Sequence, residues 1–156
     1  MALLSDQDQA VVAGRLAAIM SPVRLLFFTQ TIGAPESTLV ARQIVDEIAS
    51  LSDAVTIEEV NFVLDKDRAA QYGIEDIPAL VLLRGEDDTR MRFLGAPAGY
   101  EFASLVDAVV LAGTGDSGLS ADSRQRIADR VTGPLELLVF VTPTCPHCPR
   151  VSANRS

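Results

Sequence analysis

The most informative stretch of this sequence is Leu135-Glu-Leu-Leu-Val-Phe-Val-Thr-Pro-Thr-Cys-Pro-His-Cys148. It joins an apolar run to two cysteines that are separated by two residues, and these are the only cysteines in the chain. A short buried strand that leads into a Cys-Pro-x-Cys motif is typical of a redox dithiol presented at the start of a helix. The sequence therefore predicts thiol chemistry at Cys145 and Cys148. Eight residues follow Cys148, and we expect these to be too few to complete a domain around the motif.

Thiol–disulfide exchange needs a thiolate nucleophile and a second thiol that resolves the mixed disulfide. The backbone N–H groups and dipole of a helix N-terminus stabilise a thiolate, which predicts Cys145 as the nucleophile and Cys148, one turn later, as the resolving thiol. Pro146 suits the first helical turn, and a protonated His147 would stabilise the thiolate further. Zinc ligation and inert thiols remain the alternatives. Because zinc normally takes four ligands and His147 is the only histidine, we expect no bound metal, and we expect no cofactor.

Composition and charge restrict the class of protein. At 156 residues, 48% of them hydrophobic, the chain can form one full domain or one domain and part of another. Thirteen basic and twenty-one acidic residues give a net charge of −8, which argues against a nucleic-acid or anionic membrane surface because both require clustered Lys and Arg. The N-terminus lacks the pattern of a secretory signal, and no segment reaches the roughly 18 apolar residues of a membrane span. We therefore expect a soluble cytoplasmic protein, where a Cys-x-x-Cys motif is more often catalytic or metal-binding than structural.

The residues before the cysteine motif alternate between helical and extended apolar patterns. Their order is αβαβαββα, which predicts an α/β sandwich with a mixed four-stranded sheet. The predicted helices cover 3–19, 35–51, 66–71 and 100–111, and the predicted strands cover 23–29, 54–63, 79–83 and 90–94. The apolar residues expected on the inner faces of the first two helices are Leu4, Val11, Val12, Leu16 and Ile19, followed by Leu39, Val40, Ile44, Val45 and Ile48.

A glycine-rich stretch predicts where the first unit ends. Residues 113–118 contain three glycines, which favours a linker. We therefore divide the chain into a first unit over 1–112, a linker over 113–119 and a second unit over 120–156. In the second unit we expect a helix capped by Ser120 or Asp122 that runs to about Val131, and a buried strand over 135–142, which leads into the dithiol.

The two units share a repeated segment. Leu25-Leu-Phe-Phe-Thr-Gln-Thr-Ile32 aligns without gaps on Leu138-Val-Phe-Val-Thr-Pro-Thr-Cys145. Chance similarity between two apolar strands is the alternative, but helix, break, strand and turn recur together, which favours a true repeat. Ile32 and Pro35 then occupy the positions of Cys145 and Cys148, so the first copy has the frame of the site without its sulfurs. The identical pairs are Leu25/Leu138, Phe27/Phe140, Thr29/Thr142 and Thr31/Thr144.

These residues resemble the thioredoxin superfamily. Ile77-Pro78 before a strand and Gly95 after the hairpin match its pattern, and the resemblance implies a cis-proline at Pro78, a three-layer sandwich and the opening helix and strand of a second thioredoxin-like unit. Two units with Cys-Pro-x-Cys in the second alone are similar to the tandem protein disulfide oxidoreductases, or glutaredoxin-like proteins, and to the N-terminal domain of the flavoprotein component of alkyl hydroperoxide reductase. The remaining elements of the second unit would lie beyond Ser156. Thr144 replaces the tryptophan of ordinary thioredoxins, and Val139 replaces their buried acid.

The resemblance implies a thiol–disulfide oxidoreductase, an enzyme in which Cys145 and Cys148 act on thiols or disulfides of partner proteins or exchange with a reductase partner. The alternative is a redox-inactive thioredoxin-like module that binds or scaffolds a partner.

The apolar side chains over 135–141 predict that this strand pairs with a sheet edge, because leaving them in water would cost several kcal/mol at about 1.5–3 kcal/mol per large side chain. The edge would belong to its own first unit or to a second copy, and we prefer a homodimer because two incomplete halves can cover each other.

Overall fold

A computed structural model describes residues 3–149 of the chain. The described elements follow the predicted order over the first unit, and the helix expected after the linker follows them. Of the helices in this part of the chain, none is both long enough and apolar enough to cross a membrane. The elements are α1 (Asp6–Leu16), β1 (Val23–Thr29), α2 (Ser37–Ser50), β2 (Val55–Asn61), α3 (Lys66–Gln71), β3 (Ala79–Arg84), β4 (Asp87–Leu94), α4 (Glu101–Thr114) and α5 (Ala121–Arg130).

Within the described residues, four strands form one sheet in the order β2-β1-β3-β4. Strand β1 is parallel to β2 and antiparallel to β3, and β3 is antiparallel to β4. The predicted mixed four-stranded sheet is therefore confirmed. Strand β1 lies inside the sheet, and its sequence Val-Arg-Leu-Leu-Phe-Phe-Thr is apolar on both faces, as a strand covered on both sides requires.

Helices cover both faces of the sheet, so the fold has the three layers expected of the thioredoxin superfamily. Leu25 and Phe27 of β1 point to one face, where they pack in a cluster with α1, α2 and α4. Leu26 and Phe28 point to the other face, where they pack with residues of α3 and of the segment that follows it. The alternation along β1 thus supplies both cores from one strand.

The inner faces of α1 and α2 differ in part from the prediction. Val12 and Leu16 of α1 are buried, but Val11 is exposed, and in α2 Leu39 is 68% exposed and Val40 is exposed as well. The buried stripe of α2 has the helical spacing, but it begins with small side chains, which a prediction based on large apolar residues does not include. Its members are Thr38, Ala41, Ile44, Val45 and Ile48.

Helix α4 continues further than predicted, to Thr114, and so enters the segment assigned to the linker. A Cβ atom at Gly113 would overlap the side chain of Ile19, so this glycine allows α4 to pack against the segment after α1. The N–H groups of Met20 and Ser21 also donate to the Gly113 carbonyl oxygen, at 3.2 and 3.0 Å. The helix ends at Gly115, which adopts the left-handed conformation typical of a helix C-terminus.

The segment after the linker contains the expected helix but lacks the expected strand. The Ser120 side chain accepts a hydrogen bond from the Ser123 N–H and so caps α5. Residues 135–142, all within the described part of the chain, form no strand, and Phe140 is 90% exposed. The prediction of a buried strand there is wrong for this structure, because a strand forms only with a hydrogen-bonded neighbour. The edge strands β2 and β4 do not pair with this segment, so pairing within the chain is wrong as well.

Candidate redox site

The two cysteines lie in one tight turn and are joined to each other. A disulfide links Cys145 to Cys148, with their Cα atoms 5.5 Å apart, a separation typical of disulfides. The Cys145 N–H donates to the Thr142 carbonyl oxygen at 3.1 Å, and the Cys148 N–H donates to the Cys145 carbonyl oxygen at 3.4 Å. These bonds fold the chain back on itself over two successive turns. The two sulfurs therefore lie together in this turn.

The environment of the site is half open to solvent. Cys145 and Cys148 are both half-buried, whereas Pro146 and His147 are exposed. Helical residues begin at Cys148, and the chain after Pro149 lies outside the described residues. The helical residues thus begin three positions after Cys145. The expected difference in reactivity between the two thiols stays a prediction.

The loop that carries the dithiol contacts the first unit at the beginning of α4. The Tyr100 N–H donates to the Pro143 carbonyl oxygen at 3.0 Å. Gly99, with φ of +59°, lies against the same carbonyl, and a Cβ atom at this position would overlap its oxygen. Thr144 lines a shallow cleft together with these three residues. The first unit thus binds the carbonyl group of Pro143, the residue two positions before Cys145.

The peptide bond between Ile77 and Pro78 is cis. The Pro78 carbonyl oxygen accepts a hydrogen bond from the Gly95 N–H at 2.8 Å. Gly95 opens the turn whose last residue, Gly99, contacts the dithiol loop. Pro78 therefore supports one end of this turn while the other end holds Pro143. In the same unit Ile32, which the predicted repeat aligns with Cys145, is 87% exposed.

Glu101 is a residue of this region that the sequence did not single out. It is the first residue of α4 and follows Tyr100 directly. Burial raises the pKa of its carboxyl group above the ordinary value of a glutamate. The sequence alone gives little signal for this, because an acid in the first turn of a helix is common for its favourable interaction with the helix dipole.

Known proteins share the sequence pattern and the fold of this chain. No family model matches the chain. A solved structure of the alkyl hydroperoxide reductase protein AhpF from Enterococcus faecalis is 30% identical and superposes with a TM-score of 0.82, covering 96% of this chain and 71% of that one. The chain belongs to the AhpF family. Within that family it matches the N-terminal domain, since a structure of that domain from the same organism is 29% identical, with the same TM-score and coverage.

The family is also evident in curated sequences. The AhpF protein of Staphylococcus epidermidis is 28% identical over 80% of this chain, and the chain spans 22% of that relative's length. A protein disulfide oxidoreductase from Aeropyrum pernix is 22% identical and superposes with a TM-score of 0.81 over 96% of this chain, which supports the fold. The resemblance to the thioredoxin fold and to the N-terminal domain of AhpF is therefore confirmed, and the relatives named here are redox proteins by their names.

Proposed function

We propose that this member of the AhpF family catalyses thiol–disulfide exchange through Cys145 and Cys148. The observation that carries the proposal is the pairing of the chain's two cysteines in one half-exposed turn, on a loop held by the first unit. A structural disulfide would be expected to cross-link distant parts of the chain, because closing a longer loop constrains the unfolded state more strongly. A disulfide that spans three positions contributes little in this way. Its accessibility suits exchange with a partner.

The reaction begins from the reduced dithiol. The Cys145 thiolate attacks one sulfur of a partner disulfide, which forms a mixed disulfide and releases the first partner sulfur as a thiolate. Cys148 then loses its proton, and its sulfur attacks the Cys145 sulfur and releases the second partner thiolate. The products are the Cys145–Cys148 disulfide and a partner dithiol, so two electrons pass to the partner. An external dithiol, free or on a reductase, returns the enzyme to its reduced form by the reverse sequence.

The partner class follows from the relatives. Their name describes the reduction of alkyl hydroperoxides, so we infer that the disulfide reduced by this chain belongs to a protein of a peroxide-reducing system. The net charge of −8 favours partners that present a neutral or basic surface to it, because two acidic surfaces repel. We place this exchange in the cytoplasm, where dithiols of this kind are catalytic.

Single-cysteine variants test the proposal. The wild-type chain and the two variants are each reduced and mixed with oxidised glutathione. The reactions are then quenched with acid and analysed by intact mass. We expect Cys148→Ser to accumulate a glutathione adduct at Cys145, because its resolving thiol is absent, and Cys145→Ser to react far more slowly. Equal reaction of both variants would contradict the assigned roles. A wild-type dithiol that exchanges no faster than an unfolded peptide would favour the redox-inactive binding module instead.

A further inference from the structure

The dithiol loop is attached to the first unit through backbone atoms. Beyond the linker, the described residues bury little, since α5 has no buried side chain and Phe140 is 90% exposed. Pro143, by contrast, contacts the first unit, because its carbonyl oxygen accepts a hydrogen bond from the Tyr100 N–H at 3.0 Å. This N–H belongs to the start of α4, where helical N–H groups lack partners within the helix. The bond therefore satisfies a donor of the first unit with an acceptor of the dithiol loop.

Gly99 makes this contact possible for two separate reasons. Its φ of +59° is a backbone conformation that residues with side chains rarely adopt, and a Cβ atom would overlap the Pro143 carbonyl oxygen. Gly85 allows the effect of the positive φ to be distinguished from the effect of the steric overlap. It has nearly the same φ, +60°, but among the described residues nothing lies within 4 Å of a Cβ built there. The strain of a substitution is thus shared by both glycines, and the steric overlap is particular to Gly99.

We propose that Gly99 is a positioning residue for the dithiol. By leaving room for the Pro143 carbonyl on the Tyr100 N–H, it fixes the start of the turn in which the Cys145 N–H donates to Thr142. Pro143 transmits this restraint well, because its ring fixes its own φ. The first unit, which carries no cysteine, would in this way set the reactivity of the cysteines in the second. This inference rests on the proposed thiol–disulfide exchange and names a part of the chain that controls it.

The test compares Gly99→Ala with Gly85→Ala in the whole chain. We expect the rate at which oxidised glutathione oxidises the dithiol to fall on the order of tenfold in Gly99→Ala, since displacement of a reacting group by about 1 Å can cost still more. The equilibrium constant with glutathione should shift as well. Gly85→Ala should show the wild-type rate and equilibrium constant. Equal values in the two variants would overturn the proposal.

A second pair of variants removes the hydrogen bond by deleting its donor. Tyr100 has φ of −66°, which suits proline, so Tyr100→Pro keeps this φ, deletes the N–H donor and places its Cδ atom against the Pro143 carbonyl oxygen. Glu36→Pro is the matched control, because Glu36 holds the same place at the start of α2 with φ of −56°. We expect slower exchange in Tyr100→Pro and wild-type exchange in Glu36→Pro. This pair keeps the proposal testable if Gly99→Ala fails to fold.

A measurement independent of redox activity separates the two proposals. Amide hydrogen exchange should show the Tyr100 N–H protected in the wild-type chain and in Gly85→Ala, and unprotected in Gly99→Ala. An unprotected Tyr100 N–H in the wild type would overturn the attachment of the loop, whatever the thiols do. A protected N–H that is lost in Gly99→Ala, together with a dithiol that does not exchange, would support the attachment and refute the proposed function.

Discussion

Residues 25–32 and 138–145 carry the same pattern of amino acids in two opposite environments. Phe27 lies in the central strand β1, between β2 and β3, and is fully buried. Its counterpart Phe140 is 90% exposed in a segment that has no neighbouring strand among the described residues. The difference shows that an apolar sequence pattern allows a segment to form a core strand but does not ensure that it does. The hydrogen-bonded neighbours on either side decide whether the strand forms.

The sharpest way to break this comparison is to truncate both phenylalanines. We expect Phe27→Ala to lower the free energy of unfolding by about 3–5 kcal/mol, because it leaves a cavity in a packed core. Phe140→Ala should change it by less than about 0.5 kcal/mol at low protein concentration, since an exposed side chain loses few contacts. Urea denaturation followed by circular dichroism measures both values. Similar losses in the two variants would show that Phe140 is covered in solution.

A second copy of the chain is the cover that the sequence predicts, and this stays a prediction. Light scattering over a range of concentrations should show a dimer that Phe140→Asp converts to a monomer, because a charged side chain cannot be buried in an apolar interface without a partner. Val11→Asp is the control, since Val11 is an exposed apolar residue of α1, in the other unit. A wild-type chain that remains monomeric at every concentration would contradict the homodimer.

Elements whose own residues carry a strong pattern or cap could be predicted from the sequence. Strand β1 has in the structure the bounds Val23–Thr29 that the sequence predicts, because its residues are apolar on both faces. Helix α3 has the predicted bounds as well, and the structure shows the local reason, since the Asp65 side chain accepts from the Arg68 N–H and caps it.

Features that depend on distant partners could not be predicted in this way. The segment 135–142 has the composition of a strand, but the sequence does not say which edge it would join. The contact of Gly99 with Pro143 joins backbone atoms far apart in the chain, and backbone atoms leave no mark in the choice of side chain except the glycine itself. The exposure of Leu39 was missed because small residues fill the buried stripe of α2 in its place.

Glycine-to-alanine substitutions sharpen the comparison at smaller cost. Gly113→Ala should destabilise the first unit by about 1–3 kcal/mol, because the new Cβ would overlap the Ile19 side chain in a packed core. Gly133→Ala, in the second unit, should change stability by less than about 0.5 kcal/mol, since no described atom lies within 4 Å of a Cβ built there. Thermal unfolding of the two variants beside the wild type measures the difference. A clear loss in Gly133→Ala would show packing around 133 that the structure lacks.

Glu58 makes the stability of the first unit depend on pH in the acid range. The hydrogen bond from Arg68 lowers the pKa of this carboxyl group below 4.5, and Arg24 adds to the effect with its Nη1 atom 3.3 Å from a carboxylate oxygen. A carboxyl group whose pKa is lowered by folding stabilises the folded state at pH values above its ordinary pKa. This stabilisation is lost as the pH falls through the pKa of the folded state. Glu58→Gln should therefore lower the free energy of unfolding at pH 7 by less than about 1 kcal/mol, as for partly exposed ion pairs. A difference that persists at pH 2 would contradict this origin.

Glu101, beside the contact between the two units, should show the opposite sign and the smallest effect. Burial raises the pKa of its carboxyl group above 4.5, so folding favours the protonated form. This contribution is complete below pH 4.5 and is lost as the pH rises through the folded value. We therefore expect Glu101→Gln to match the wild type near pH 3 and to be slightly more stable at pH 7, by urea denaturation at both. A variant less stable than the wild type at pH 7 would show that the Glu101 carboxylate makes a favourable contact, and that burial does not set its pKa.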